Sequence, residues 1–163
     1  MSLLPYFSIE NALRVLKQIL LSLSYIHFEK TVVHRDLKLE NVLLDDHQNA
    51  CLIDFGLATD VSETGGIVYR FGGTPLYAAP ELLKRQPHDG TKADVWAVGV
   101  LFAIMVFGLS VISTCSLSEY PSCFLLPFDL LSTLSPPTAD IVMKMLYIDP
   151  NQRWSVSELL AHP

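Results

Sequence analysis

The sequence predicts one mainly α-helical domain with short β hairpins, and three observations carry that reading. Ala12, Leu16, Ile19, Leu20, Leu23 and Ile26 recur at helical spacing and give one apolar face. Val95 to Ser118 contains no charged residue, and Val95–Ile112 is strongly apolar, which marks a second long helix. The β-prone runs, Thr31–Val33, Val42–Leu44 and Cys51–Ile53, are brief. At 163 residues the chain supports one domain with one sizeable core.

The first helix is expected from Ser8, a plausible N-cap, to about His27. Asp45-Asp46-His47-Gln48-Asn49 lies between two β-prone runs and reads as a hairpin turn. Residues 55–80 hold most of the glycines and little periodicity, so a long loop is expected there, of a length that is usually functional or disordered. The apolar helix should run from about Lys92 to Phe107, with Gly108 suited to end it. Residues 109–137 read as irregular and are rich in Ser, Leu and Pro. Two short helices close the chain, near Ala139–Tyr147 and Ser155–His162. Ser155 and Glu158 form an S-x-x-E capping box for the second.

Length alone makes Val95–Ile112 a transmembrane candidate. The alternative is a helix buried on all sides, and no Lys/Arg cluster anchors either end. A net charge of −6 argues against a nucleic-acid partner, which calls for a basic stripe. Cys51, Cys115 and Cys123 are odd in number and lack C-x-x-C pairing, so reduced intracellular thiols are expected rather than disulfides or a zinc site. Met1 to Phe7 shows no signal-peptide pattern.

The densest polar segment is His34-Arg35-Asp36-Leu37-Lys38-Leu39-Glu40-Asn41, between two β-prone runs. Asp54 then stops an apolar strand and is followed by Phe55 and Gly56. Carboxylates and an amide at strand edges suit a hard cation, which prefers oxygen ligands. A further carboxylate and a lysine nearby suit orientation of a hydroxyl nucleophile and neutralisation of developing negative charge. That combination points to phosphoryl transfer, where positioning and electrostatics dominate.

These residues resemble the eukaryotic-type serine/threonine protein kinases. His34–Asn41 fits the catalytic-loop pattern H-R-D-L-x-x-x-N, Asp54-Phe55-Gly56 the metal-binding D-F-G, and Ala79-Pro80-Glu81 the A-P-E that ends the activation segment. Three such motifs in order carry far more weight than any one of them. The resemblance covers roughly Phe7 to Pro163, and within the family it is to the calcium/calmodulin-dependent and AMP-activated group. It implies the large, C-terminal lobe of a kinase, with the whole chain, 1–163, a partial kinase domain. It also implies transfer of the ATP γ-phosphate to protein serine or threonine, with ATP and Mg2+ as cofactors and an intracellular location.

By the same resemblance, Asp36 is the catalytic base, Lys38 the lysine on the γ-phosphate, and Thr74 the threonine that bonds to this pair. Asn41 and Asp54 are the magnesium ligands, and Leu43 lies beneath the adenine ring. His34 and Phe55 belong to a stacked spine, Asp94 anchors the catalytic-loop backbone, and Glu81 pairs with Arg153. The apolar helix becomes the core helix of the lobe, so no membrane partner is expected. Glu40 implies protein substrates with basic residues upstream of the target hydroxyl.

Three departures qualify the resemblance. The 163 residues contain no G-x-G-x-x-G-x-V loop and no V-A-I-K lysine, so the N-terminal lobe is expected to be absent. The alternative function is then an inactive, kinase-derived binding module. Leu109–Phe124 looks like an insertion, with Leu126-Pro127-Phe128-Asp129 a displaced turn and the following helix missing. Arg70 occupies the usual activation-loop phosphosite, leaving Thr64 and Tyr69 as neighbouring alternatives.

Overall fold

The first helix, α1 (Ile9–Ser24), begins where Ser8 accepts a hydrogen bond from the Asn11 amide in the computed structural model, which describes residues 7–109 and 128–163. Ala12, Val15, Leu16, Ile19, Leu20 and Leu23 turn one face of α1 into the core. The helix widens into a π turn, Tyr25–Glu29, which buries His27, while the expected Ile26 is partly buried and packs against the core.

Among the described residues, six short strands follow in three antiparallel pairs. They are β1 (Val32–Val33), β2 (Val42–Leu44), β3 (Ala50–Leu52), β4 (Thr59–Asp60), β5 (Ile67–Val68) and β6 (His88–Asp89). Only β2 and β3 form the expected hairpin, in register Val42↔Leu52 and Leu44↔Ala50. Its turn is closed by Asp45, which accepts from the His47 and Asn49 amides. The pairs β1–β4 and β5–β6 are returns from distant segments, so the expectation of hairpins throughout is corrected. Residues 55–80 are likewise not one irregular loop. Thr59–Asp60 and Ile67–Val68 tie them to β1 and β6, and a 3-10 turn, Pro75–Tyr77, leads into α2 (Pro80–Leu83).

The helix α3 (Gly90–Phe107) starts ahead of the expected Lys92 because Asp89 caps it, accepting from the Thr91 and Lys92 amides. Gly108, at φ 81°, ends it. Trp96, Val98, Val100, Leu101 and Phe102 are fully buried around the helix. It is long and apolar enough to cross a membrane, yet 72% of it is buried within the protein. It packs against α1 and against α5 (Pro136–Met145), and α1 packs against α6 (Val156–Leu160). The capping box of α6 forms as expected, with Ser155 and Glu158 bonding reciprocally. The helix α5 begins before the expected Ala139, since Ser135 caps it and proline suits its first turn. The insertion expected at Leu109–Phe124 and most of the displaced turn lie outside the described residues; Phe128–Leu131 forms one helical turn, α4.

Gly99 allows α3 and α5 to approach. A Cβ there would meet Leu146 Cδ2 at 2.8 Å and Met145 Cβ at 2.9 Å. Gly99→Ala should therefore lower stability by about 1–2 kcal/mol, because overpacking outweighs alanine's better helix propensity. Urea denaturation checks this, and a stabilised variant would contradict it.

Candidate active site

The segment His34–Lys38 leaves β1 and is held from below by α3. Asp94, buried in the first turns of α3, accepts the His34 amide on Oδ2 at 2.8 Å and the Arg35 amide on Oδ1 at 2.9 Å. His27 Nε2 also lies 2.9 Å from Oδ2. Arg35 can then hold φ 69°, a left-handed conformation that turns the chain sharply before Asp36. The His34 ring packs on Phe55 at a centroid distance of 4.8 Å, and its Nε2 meets the Ile53 carbonyl at 3.1 Å.

Asp36 is the centre of the polar network. Its Oδ2 accepts from Lys38 Nζ at 2.7 Å, and its Oδ1 accepts from Thr74 Oγ1 at 2.7 Å and the Thr74 amide at 3.0 Å. Lys38 Nζ also donates to Thr74 Oγ1 at 3.3 Å. Asn41 Nδ2 donates to the Asp36 carbonyl at 2.8 Å and to Oδ2 at 3.3 Å. Burial pushes the Asp36 carboxyl up, but hydrogen bonds from Lys38 and Thr74, with the Lys38 charge, outweigh it and hold it below the ordinary carboxylate value. The hydrogen bond to Asp36 raises the Lys38 ammonium against some desolvation, helped by the charges of Asp36, Glu40 and Asp54. At neutral pH the pair is a carboxylate and an ammonium.

Thr74 reaches Asp36 because Gly73 lets the backbones touch. At φ 103° Gly73 lies so close that a Cβ would stand 2.6 Å from the Arg35 carbonyl oxygen. The Arg35 guanidinium secures the same crossing, donating from Nη1 to the Leu57 carbonyl and Thr59 Oγ1 and from Nη2 to the Arg70 carbonyl, each at 2.9 Å. Desolvation and the neighbouring Arg70 charge lower its pKa, opposed by Asp94. Tyr69 is exposed, and Thr64 Oγ1 donates to the Val61 carbonyl.

Asn41 and Asp54 sit at the ends of adjacent backbone segments, joined where the Ile53 amide donates to the Asn41 carbonyl at 3.0 Å. The Asn41 amide nitrogen is turned to Asp36, which leaves its oxygen for another partner. Asp54, exposed at φ 62°, has Oδ1 against the Gly56 amide at 3.2 Å. One amide oxygen and one carboxylate fit magnesium, which commonly takes one or two protein ligands and completes its shell with phosphate and water. No cluster of three or more His, Cys, Asp or Glu suited to a metal occurs among the described residues. Leu43, on β2, is exposed and borders a groove of about 630 Å³ with Val15, Val42, Leu101 and Met105.

Every residue assigned to the site from sequence is therefore within or beside one network, except that Leu43 lies on the groove and Asp54 touches the others through backbone and charge. Sequence reading missed the contact of His27, whose only signal was a polar residue four positions after the last apolar residue of α1, Leu23, where the π turn continues that face.

Comparison with known proteins gives a consistent picture. The protein kinase domain family matches residues 4–163. CBL-interacting serine/threonine-protein kinase 13 of Arabidopsis thaliana is 40% identical over 156 residues, covering 93% of this chain and 31% of the relative. Maternal embryonic leucine zipper kinase of Xenopus tropicalis is 38% identical over 151 residues, covering 90% of this chain and 23% of the relative. Sperm motility kinase 3A of Mus musculus is 34% identical over 159 residues, covering 97% and 31%. The chain thus spans about a third or less of the length of these relatives.

Proposed function

The chain belongs to the protein kinase family, and from that premise we propose that it is the large lobe of a serine/threonine kinase, with Asp36 as catalytic base. The observation that carries the reading is the Asp36 carboxylate, held by Lys38, Thr74 and Asn41 with its charge retained at neutral pH. Asp36 accepts the proton of the incoming serine or threonine hydroxyl. Lys38 neutralises negative charge as it develops, and Thr74 fixes the pair. Asn41 and Asp54 would hold magnesium, and Lys38 and Leu43 would contact ATP. Magnesium–ATP, when bound, supplies the phosphoryl group to be transferred.

The exposed apolar side chains Leu43, Phe55 and Leu57 support a partner surface for a small lobe that grips the nucleotide. The substrate class is a peptide with basic residues upstream of the target hydroxyl, drawn by Glu40, which is exposed beside Lys38 and Tyr77.

The test uses the 163 residues alone and a lobe-completed protein, in which they follow a kinase small lobe. The 163 residues alone should show no ATP turnover. The lobe-completed protein should phosphorylate peptides with upstream arginine at least about tenfold better than neutral ones, a preference that Glu40→Ala removes. Turnover by the 163 residues that Asp36→Asn abolishes would sink the partition between lobes, and a preference unmoved by Glu40→Ala would sink the substrate class.

A further inference from the structure

We infer that residues 59–68 are latched to the start of α3 by a small apolar core of their own, so that the activation segment stands docked without phosphorylation. This concerns regulation of the proposed site and rests on the kinase reading for its consequence, though not for its geometry. Val33 of β1, Val61 just after β4 and Val68 of β5 are each buried and form a cluster separate from the main core. Three stretches of chain meet there, and backbone bonds join them. β1 pairs with β4 through Val33↔Thr59, and β5 pairs with β6 through Val68↔His88. The Val61 amide donates to the Thr31 carbonyl at 2.8 Å, and the Gly90 amide, in the first turn of α3, donates to the Gly66 carbonyl at 3.0 Å.

Gly90 makes the fit possible. A Cβ there would stand 2.6 Å from Val68 Cγ2 and 3.0 Å from both methyl carbons of Val33. Valine is stiff at χ1, so neither side chain can swing clear of such a clash. The latch also lies on the way to the site. Val33 directly precedes His34, and from Val68 the segment runs on to Arg70, whose carbonyl takes Arg35 Nη2, and to Thr74, which holds Asp36. The acceptors around the Arg35 guanidinium are neutral groups of the segment itself: the carbonyls of Leu57 and Arg70 and the Thr59 hydroxyl. Arg70, at the position that the resemblance gives to a phosphosite, sets a positive charge near Arg35 rather than a negative one. Apolar burial and neutral hydrogen bonds thus do here what a phosphate would do by charge.

The experiment is amide hydrogen exchange, read by NMR, on the unphosphorylated 163-residue chain and its Gly90→Ala and Val68→Thr variants. Val98, in the middle of α3, serves as the reference for global opening. In the parent, the Val61 and Thr74 amides should exchange at least about 100-fold more slowly than in an unstructured peptide. Alanine suits a helix better than glycine, so Gly90→Ala would tighten α3 if the position mattered to the helix alone. With the latch, both variants should speed exchange at Val61 and Thr74 at least about tenfold relative to Val98. The first does so by displacing Val68, the second by burying an unpaired hydroxyl. The inference is overturned if Val61 and Thr74 exchange in the parent as in a peptide while Val98 is protected. It is equally overturned if either folded variant keeps the parent rates relative to Val98. The measurement needs no phosphotransfer, so a failure of the kinase reading would show separately, as absent activity in the lobe-completed protein.

Discussion

Asp36→Asn in the lobe-completed protein should lower phosphotransfer by about 10²–10⁴-fold, the usual worth of a positioned general base. The amide can still accept from Thr74, so the loop should remain folded, but its nitrogen would face the Lys38 ammonium and cannot take a proton. The sign of the pH effect follows from the depressed carboxyl. Its folded-state pKa lies below the unfolded value, so its stabilising contribution is present above the unfolded pKa and is lost as pH falls through the folded one. Acidification to pH 5 should therefore leave this contact intact. Asp54→Asn should abolish activity at ordinary magnesium for a different reason, the loss of a charged oxygen ligand. Raised magnesium should restore part of the Asp54→Asn activity and none of the Asp36→Asn activity. Steady-state rates across a magnesium series separate the two, and full activity of either variant would remove its role.

Arg153→Met should produce the largest loss of stability, about 3–5 kcal/mol, by leaving the half-buried Glu81 carboxylate uncompensated. The pair is bidentate, with Nη1 2.7 Å from Oε1 and Nη2 3.0 Å from Oε2. The guanidinium is wholly buried, donates to the Tyr147 and Lys92 carbonyls, and lies 5.0 Å from the Trp96 ring centroid. It thereby ties α2, α3 and the approach to α6 together. Total stability of a domain is only about 5–15 kcal/mol, so the variant stands near the unfolding threshold. Pairing it with Glu81→Leu should recover much of the loss, since an apolar pair carries no stranded charge. Chemical denaturation of the single and double variants measures both. A single-variant loss under about 1 kcal/mol would show that the pair contributes little.

The polar network was legible because it is compressed into short motifs. Asp36, Lys38 and Asn41 fall within one octapeptide, and their mutual contacts follow from one turn of backbone. Thr74 and Arg153 were reached through resemblance alone, since they meet their partners across 38 and 72 residues. Among the elements, α1 and α3 were legible from periodicity and from a charge-free run, and α6 from its capping box. The strands β4, β5 and β6 were not. Each is two residues long and exists only because a distant segment lies beside it, so no local pattern announces it. The same holds for Gly73, whose need for glycine comes from the Arg35 carbonyl passing against it.

Transfer of labelled γ-phosphate from ATP to protein by the lobe-completed protein tests the central claim most directly. The expected result is magnesium-dependent label on serine or threonine, absent from tyrosine and lost with Asp36→Asn. A folded lobe-completed protein that transfers no phosphate, or one whose transfer survives Asp36→Asn, would contradict the assignment of Asp36 as catalytic base.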